Sequence, residues 1–348
     1  MNRSLLDILS CPACKARLTL SPLQQETTRA PEGMLSCRCG KTFPLVHGIP
    51  RLLTEELRPD PAAPEALPLP PEAGAPAASD GVQRKACGAG KSCLVCHCHL
   101  GTFGQAELCR KCTAELLERG LDKKTLAGLY DALEQQAVSN TFTDYTISDL
   151  FVEWLAKNQS RDARILEIGC GGGYLCDTIW QQGFTDLIAS DFNGRVVETA
   201  IERFPALQGV VMDSAQMAFA PESLDCVVSV EMVEHLLDPE QHFREVCRVL
   251  RPGGSYLLRT PNALAATLYY RWSGRYDMAI WHPSTFACND LEKQLQRAGF
   301  EVDHLVPGSL PKSQVAKLPF LLKFLARVPL RWTPLVLRPS ICVVARKR

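Results

Sequence analysis

"RILEIGCGGGYL", residues 164–175, runs from an apolar stretch into a cluster of glycines. The apolar part predicts a short buried strand, and the residues after the glycines have helical spacing and a glycine stop. Gly169 and Gly171 therefore lie at a strand-to-helix turn, where backbone amides and a helix N-terminus can face a ligand. Tyr174 stands where a dinucleotide site needs its third glycine, so pyrophosphate binding is disfavoured.

Acidic residues stand at the ends of the strands predicted after this turn. DLIAS predicts a second strand that ends at Asp191, and GVVMD predicts a third that ends at Asp213. SLDCVVSVE predicts a fourth strand, and LRPGGSYLLRTPN predicts a turn followed by a fifth. Helix-like and strand-like segments alternate from about residue 121, which is typical of an α/β domain. A carboxylate at the end of the second strand can hold both hydroxyls of a ribose.

This order of motifs resembles the class I S-adenosylmethionine-dependent methyltransferases over about residues 140–310. The resemblance implies an α/β, Rossmann-like fold with a seven-stranded mixed sheet. It also implies the contacts of the cofactor: Glu167, Gly169 and Gly171 shape the methionine pocket, Asp191 binds the ribose, and Asp213 with Ser214 and Met217 borders the adenine. Because the cofactor is a sulfonium without phosphates, close approach of the backbone matters more than anion binding.

The segment "EMVEHLLDP" follows the fourth predicted strand. If it opens a helix, Glu231, Glu234 and His235 share one face and could hold a divalent cation such as magnesium. Such a cation would lower the pKa of a hydroxyl and orient it. The pattern resembles the ubiquinone-biosynthesis O-methyltransferases. The alternative is that His235 acts without metal, as a base or beside the substrate, and that Glu231 contacts the amino end of the cofactor. His282 is a second candidate base.

The chain has 348 residues, 16 cysteines and no net charge. The N-terminal sequence lacks a secretory signal, and no uncharged apolar stretch reaches the roughly 18–20 residues of a membrane-spanning helix. We therefore predict a cytoplasmic protein. Cysteine pairs in such a protein are metal ligands rather than disulfides.

The first cysteine cluster contains Cys11, Cys14, Cys37 and Cys39, four thiols that suit tetrahedral zinc. The stretch "LSCRCGKTFPLVHGIPRLL" resembles the small zinc-ribbon family that partners tRNA and protein methyltransferases. The sequence departs from that family in two places. Its second pair is Cys-x-Cys, and His47 stands where Asp is usual, which makes His47 an alternative ligand.

The second cysteine cluster contains two Cys-x-x-Cys pairs separated by 12 residues, a spacing typical of zinc sites. The predicted ligands are Cys93, Cys96, Cys109 and Cys112. Cys87, Cys98, His97 and His99 are surplus, so an iron–sulfur cluster is an alternative to zinc. No ferredoxin spacing is present.

Composition divides the chain into four parts. We predict a zinc-ribbon-like module over 1–57, a Pro/Ala-rich linker over 58–82, a second cysteine-rich module over 83–120 and the methyltransferase domain over 121–348. Residues 121–310 carry 15 basic and 26 acidic side chains, a net of −11, whereas 311–348 carry nine basic and none acidic. A basic apolar insertion at about 311–339 favours a membrane interface, a lid over an apolar substrate, or packing on the acidic body.

These features predict an S-adenosylmethionine-dependent methyltransferase that binds two zinc ions. O-methylation of a small or lipid-like hydroxylated acceptor is the leading hypothesis. One alternative is an RNA methyltransferase whose zinc modules grip nucleic acid, which the acidic body disfavours. Another is a protein-modifying enzyme, or a scaffold, with a fused module that contacts a protein partner.

Overall fold

The computed structural model describes residues 3–22, 33–58, 93–96, 98, 100, 106–136, 148–308, 315 and 329–348. Nearly all of the predicted linker over 58–82 lies outside these residues. So does most of the predicted insertion over 311–339, of which 315 and 329–339 are described. In the described part of the chain, no helix combines the length and hydrophobicity needed to cross a bilayer. The cytoplasmic location stays a prediction.

The body of the described chain is built on seven strands. They are β5 (Ile165–Ile168), β6 (Leu187–Asp191), β7 (Gln208–Met212), β8 (Leu224–Val230), β9 (Leu250–Pro261), β10 (Phe300–His304) and β11 (Ser340–Lys347). They lie in the order β7-β6-β5-β8-β9-β11-β10. The first five are parallel, and β11 is antiparallel between β9 and β10. This arrangement confirms the predicted seven-stranded mixed sheet.

Helices follow most of these strands, because two neighbouring parallel strands are joined by a crossover connection that is usually a helix. The body helices are α4 (Ser148–Asn158), α5 (Tyr174–Gln181), α6 (Gly194–Arg203), α7 (Pro239–Val249), α8 (Ala263–Ser273), α9 (Met278–Trp281) and α10 (Cys288–Arg297). The N-terminal side adds α1 (Arg3–Ile8), α2 (Arg110–Arg119) and α3 (Lys123–Gln136). Strand β5 lies inside the sheet and is buried at every position, so helices cover both faces of the sheet there.

The N-terminal module, which we call the ribbon, extends the body sheet. Its strands are β1 (Thr19–Pro22), β2 (Gly33–Ser36), β3 (Thr42–Val46) and β4 (Ile49–Leu52), joined antiparallel in sequence order. β4 then pairs parallel with β7, so that Arg51 lies opposite Val211 and Leu52 opposite Met212. The described residues thus form one eleven-stranded sheet. No local pattern in the sequence predicts this junction.

The ribbon and the body also share one hydrophobic core. Leu9, Phe43 and Leu52 of the ribbon belong to the same buried cluster as Met212 and Phe219 of the body. Two backbone hydrogen bonds cross the junction, from Ser10 N to Ala218 O at 2.9 Å and from Ala220 N to Ile8 O at 2.8 Å. At about 25 cal/mol per Å² of buried apolar surface, such continuity makes separate unfolding of the ribbon costly.

The second cysteine-rich module packs elsewhere on the body. Leu94 and Leu108 of this module form a buried cluster with Leu129 of α3 and with Ile280 and Trp281 of α9. Arg110, at the start of α2, stacks over the ring of Tyr276 at 4.5 Å. The module therefore contacts the segment that follows α8, far in the sequence from the glycine turn.

Candidate active site

The glycine turn after β5 has a backbone that only glycine adopts without strain. Gly169 has φ +73°, and a Cβ there would lie 2.6 Å from Met232 Cγ. Gly173, with φ +77°, is the residue before α5, and a Cβ there would lie 2.9 Å from the Cβ of Ala200. Gly171 also has positive φ, at +49°. The turn therefore lets the backbone approach both its neighbours and a ligand closely.

A buried carboxylate, Glu167, and a partly buried one, Asp191, brace this turn. Glu167 Oε2, on β5, accepts a hydrogen bond from Cys176 N in the first turn of α5 at 3.1 Å. Asp191, the last residue of β6, accepts from Asn193 N at 3.0 Å and from Gly171 N at 3.4 Å. Burial raises the pKa of Glu167 to about 8, with the negative charge of Asp191 adding to it, and burial also raises the pKa of Asp191. A ligand that carries positive charge or hydroxyl donors would therefore stabilise the ionised form of both carboxylates.

Asp213 follows β7 and completes a row of carboxylates at the ends of three adjacent strands. Its Oδ1 accepts from Ala215 N at 2.9 Å, and its Oδ2 pairs with Lys123 Nζ of α3 at 2.5 Å. The neighbouring Ser214 is nearly buried, and its carbonyl accepts from a buried histidine. Met217 differs from the expectation, because it has no exposed surface and lies in the core shared with the ribbon. Its backbone carbonyl accepts a hydrogen bond from Lys15 Nζ of the ribbon at 3.2 Å.

The expected helix over Glu231–His235 does not form. Only a single 3-10 turn covers Val233–His235, and Glu231 has a left-handed φ of +52°. Glu231 is thereby turned towards Arg259, with Oε1 3.3 Å from Nη2. The three predicted ligands therefore do not share one helical face.

Instead, Glu234 and His235 group with His282. One ligand atom from each of the three lies within 4.8 Å of the others. Glu234 is almost fully buried; its Oε2 accepts from Thr260 Oγ1 at 2.8 Å, and its Oε1 has no hydrogen-bond partner among the described residues. Burial, together with the charge of Glu231, raises the pKa of Glu234 well above its usual range. An orphaned buried carboxylate oxygen of this kind costs free energy unless something binds it.

His235 is held by groups that sequence reasoning did not identify. Its Nδ1 lies 2.7 Å from the carbonyl of Trp281 and 2.5 Å from the hydroxyl of Tyr130, on α3. The Tyr130 hydroxyl also donates to the Trp281 carbonyl at 3.1 Å. His282 Nδ1 lies 2.7 Å from the hydroxyl of Tyr270. Burial lowers the pKa of His235, so its imidazole is neutral near pH 7 and able to accept a proton.

Lys123 and Tyr130 place α3 against both the cofactor side and the histidine side of the site. No local motif distinguishes these two residues in the sequence. They precede the glycine turn by more than thirty positions, and only the tertiary fold brings them to it.

The ribbon brings its four predicted ligands together. The sulfurs of Cys11, Cys14, Cys37 and Cys39 lie within 4.8 Å of one another. Cys14 Sγ is 3.3 Å from Cys37 Sγ, and Cys11 Sγ is 3.8 Å from Cys39 Sγ. His47 points elsewhere, with Nδ1 3.6 Å from Glu198 Oε1 on α6. The four-thiol set fits tetrahedral zinc without a histidine.

The second module groups Cys93, Cys96, Cys98 and Cys109 within the same distance. Cys112, the fourth predicted ligand, is buried beside this group: its thiol contacts those of Cys96 and Cys109, and its amide donates to Cys109 Sγ at 3.4 Å. A signal for Cys98 was present in the sequence, because Cys96-x-Cys98 repeats the Cys37-x-Cys39 spacing of the ribbon. The surplus residues Cys87, His97 and His99 lie outside the described residues.

Comparison with known proteins identifies two family matches. The model of the methyltransferase domain family matches residues 139–305. The model of the Trm112p-like protein family matches residues 2–48. The two matches cover the glycine turn and the ribbon, and they leave the second cysteine module unassigned.

Individual relatives match the body of the chain. A protein of Mycolicibacterium smegmatis named "Probable S-adenosylmethionine-dependent methyltransferase" is 33% identical over 141 residues, 40% of this chain and 52% of its own. A ubiquinone biosynthesis O-methyltransferase of Parvibaculum lavamentivorans is 27% identical over 156 residues, 41% of this chain and 61% of its own. The chain thus spans between half and two thirds of the length of these curated relatives.

Solved structures match more of the chain at lower identity. An S-adenosylmethionine-dependent methyltransferase of Mesorhizobium loti has 20% identity and a TM-score of 0.43, and the match covers 57% of this chain and all of that one. A complex of the Haloferax volcanii Trm112 methyltransferase activator with a methyltransferase has 14% identity and a TM-score of 0.46, covering 65% of this chain and 99% of that one.

Proposed function

We propose that this chain, which contains a class I methyltransferase domain joined to a Trm112p-like module, transfers a methyl group from S-adenosylmethionine to a hydroxyl oxygen. The observation that carries the proposal is the row of carboxylates Glu167, Asp191 and Asp213 at the ends of three adjacent parallel strands around the glycine turn. Ligands of open α/β sheets bind at this edge. The family matches indicate S-adenosylmethionine as the cofactor, and the two four-thiol groups are the proposed zinc sites.

The cofactor side of the site can be tested at Asp191. Replacing it by Asn removes the charged acceptor for two ribose hydroxyls, and charge-assisted hydrogen bonds contribute about 1.5–3 kcal/mol. We expect Asp191→Asn to weaken S-adenosylmethionine binding by at least about tenfold in isothermal titration calorimetry. The matched control is Asp290→Asn, an exposed aspartate in the first turn of α10. Equal affinities in the two variants would contradict the assignment.

On the acceptor side, His235 is the general base in this proposal. Its neutral imidazole takes the proton from the acceptor hydroxyl as the oxygen attacks the methyl carbon, and the C–S bond of the sulfonium breaks. The carbonyls of Trp281 and Glu231 favour the protonated ring that results. Positioning of the two reactants supplies much of the rate of such a displacement.

The orphaned Glu234 oxygen supports a metal-assisted variant of the same step. Two imidazoles and one carboxylate, from Glu234, His235 and His282, are donors that suit a transition metal such as manganese, iron or zinc. Magnesium prefers an all-oxygen octahedral shell, so this donor set fits it poorly. A metal bound here would lower the pKa of the acceptor hydroxyl. Activity that survives exhaustive chelation would leave His235 acting alone.

An exposed apolar surface beside the site supports a lipid-like acceptor. Leu264, Leu268 and Trp272 stand four residues apart on α8, with 43%, 60% and 63% of their surfaces exposed. Residues at this spacing form one stripe on a helix. Trp332, in the C-terminal segment, is 71% exposed.

The stripe is joined to that C-terminal segment next to the site. The side-chain amide of Asn262, two residues after Thr260, donates to the carbonyls of Leu335 and Val336 at 3.1 and 3.2 Å. The segment over 311–348 carries nine basic and no acidic side chains. Apolar side chains flanked by cations suit the surface of an anionic bilayer, from which a lipid-like acceptor would enter.

Vesicle flotation tests this acceptor class. We expect Trp272→Ser to reduce binding to vesicles of phosphatidylglycerol and phosphatidylcholine by about tenfold, because a buried aromatic side chain contributes roughly 1.5–3 kcal/mol. Leu117→Ser, which removes a 46%-exposed side chain from α2, is the control and should bind as the unmodified protein does. Flotation that is unaffected by Trp272→Ser would point to a small water-soluble acceptor instead.

The ribbon, in this proposal, acts within its own chain. Its β4 edge is already paired with β7, which supports a built-in structural role over recruitment of a separate protein. Expression of the body without residues 1–57 should then give an unstable product that a separately expressed ribbon rescues.

A further inference from the structure

The second cysteine group is connected to His235, the proposed base, by a short series of hydrogen bonds. The first link joins the loop that ends at Cys109 to Asp277. The amides of Glu107 and Leu108, the two residues immediately before Cys109, both point to Asp277 Oδ2, at 2.7 and 3.4 Å. The module thus supplies the donors for a carboxylate that lies 170 residues further along the chain.

Asp277 is fully buried, so its carboxylate depends on those donors. Its other partners are Trp281 Nε1 at 2.9 Å and Arg275 Nε at 3.4 Å. A buried charge that loses its hydrogen bonds is strongly destabilising locally, and the surrounding structure rearranges to relieve it. The position of the Trp281 indole is therefore tied to the position of the cysteine loop.

The last link runs from Trp281 to His235. The Trp281 carbonyl accepts from the Tyr130 hydroxyl at 3.1 Å and lies 2.7 Å from His235 Nδ1. The ring of Tyr130 also packs against Trp281, with centroids 5.4 Å apart. A displacement of Trp281 would therefore remove the group that fixes the orientation and tautomer of His235.

The loop that begins this series needs a metal to keep its shape. Its thiol ligands come from Cys93, Cys96, Cys98 and Cys109, and the described residues between them contribute only a few apolar side chains to the core. A segment this small does not order itself through hydrophobic burial, whereas a four-thiolate metal site contributes free energy to folding directly. Cys109 also caps α2, its sulfur accepting from Cys112 N, so the metal would fix the start of that helix as well.

We propose that the group Cys93, Cys96, Cys98 and Cys109 binds zinc or a similar thiophilic divalent ion, and that this ion controls the geometry of the acceptor side. Asp277 is the positioning residue through which the order of the metal-bound loop determines the orientation of His235. The part of this inference that concerns turnover rests on the proposed function. The part that concerns the geometry of His235 does not.

The experiment compares two matched double variants of the full chain. Cys96→Ser/Cys98→Ser removes the two exposed thiols of the second group, and Cys14→Ser/Cys39→Ser removes the two exposed thiols of the ribbon. Metal content is measured by inductively coupled plasma mass spectrometry. The imidazole resonances of the seven histidines are recorded with ¹³C-labelled histidine, and His235 is assigned with His235→Gln.

Each double variant should lose about one equivalent of zinc. Only the second-group variant should move the His235 resonance, and it should lower kcat by about tenfold, a cost typical of a misplaced base, while leaving the affinity for S-adenosylmethionine within twofold. Retention of zinc by Cys96→Ser/Cys98→Ser, an unmoved His235 resonance after zinc loss, or equal movement in both variants would overturn the inference.

Asp277→Asn provides a test that does not depend on removing the metal. Asparagine has the same shape but a single, neutral acceptor oxygen, so the hydrogen bonds weaken and either the Glu107 and Leu108 amides or Arg275 Nε loses its acceptor. We expect this variant to keep both zinc equivalents, to move the His235 resonance and to lower kcat with little change in the KM for the cofactor. Unaltered His235 would overturn the positioning role. A moved resonance in a protein that methylates no tested acceptor would uphold this inference and count against the proposed function.

Discussion

The two cysteine modules attach to the same body by different physical means. The ribbon joins through its backbone, because β4 adds a strand to β7 and its core residues enter the core of the body. The second module joins through side chains, namely a cluster around Leu129 and the contacts of Asp277 with two amides. The first attachment extends the sheet, and the second contacts residues on the acceptor side of the site.

This difference predicts which property each module governs. A strand and a continuous core are formed or lost together, so damage to the ribbon should appear in the stability of the whole described body. A hydrogen-bonded series that ends at a base should instead appear in turnover, since the sheet does not depend on it. Two substitutions sharpen this contrast.

The largest expected effect is on stability, from Leu52→Ala in β4. Leu52 has no exposed surface and lies opposite Met212. Deletion of buried leucine atoms costs about 2–5 kcal/mol, and we expect a loss of this size in the free energy of unfolding measured in urea. Turnover of the remaining folded protein should stay within twofold.

Leu20→Ala is the control for that measurement. Leu20 lies on β1 and is 39% exposed, so the free energy of unfolding should change by no more than about 0.5 kcal/mol. If Leu52→Ala produced a separate early transition and left the main one unmoved, the ribbon would be an independent unit and the comparison would fail.

A smaller effect, on turnover, is expected from Tyr130→Phe. The substitution keeps the ring against Trp281 and removes the hydroxyl from His235. We expect kcat to fall by about tenfold, because a mis-oriented base transfers protons less efficiently, while stability changes by only about 0.5–1.5 kcal/mol. The check is steady-state kinetics beside urea unfolding. Tyr276→Phe, which keeps its ring under Arg110, should behave as the unmodified protein.

Much of the body could be predicted from the sequence. The strand around Ile165, the glycine turn and the acidic ends at Asp191 and Asp213 depend on local patterns of apolar and glycine residues, and local patterns are visible in one sequence. The seven-stranded mixed sheet followed from the family resemblance. Pairing of β4 with β7 could not be predicted, because it joins segments that are more than 150 residues apart in sequence and is decided by packing.

The candidate site was predicted less completely than the fold. The expected helical face of Glu231 and His235 depended on a helix, and the left-handed backbone at Glu231 breaks it. His282 reaches Glu234 only through the tertiary fold. Cys98 also joins the second cysteine group, although it belongs to neither of the two predicted Cys-x-x-Cys pairs. Glu231 and His282 share one feature, since each contacts residues that are distant in the sequence.

The pairing of β4 with β7 also determines which strand of the sheet is left open. Without the ribbon, β7 would present unpaired backbone groups along a buried-type strand, a template for aggregation with other chains. With the ribbon in place, the outermost described strand on that side is β1, which has four residues and ends at Pro22. Short strands and proline are features by which proteins protect sheet edges from adding foreign strands. The ribbon therefore replaces an aggregation-prone sheet edge with a protected one.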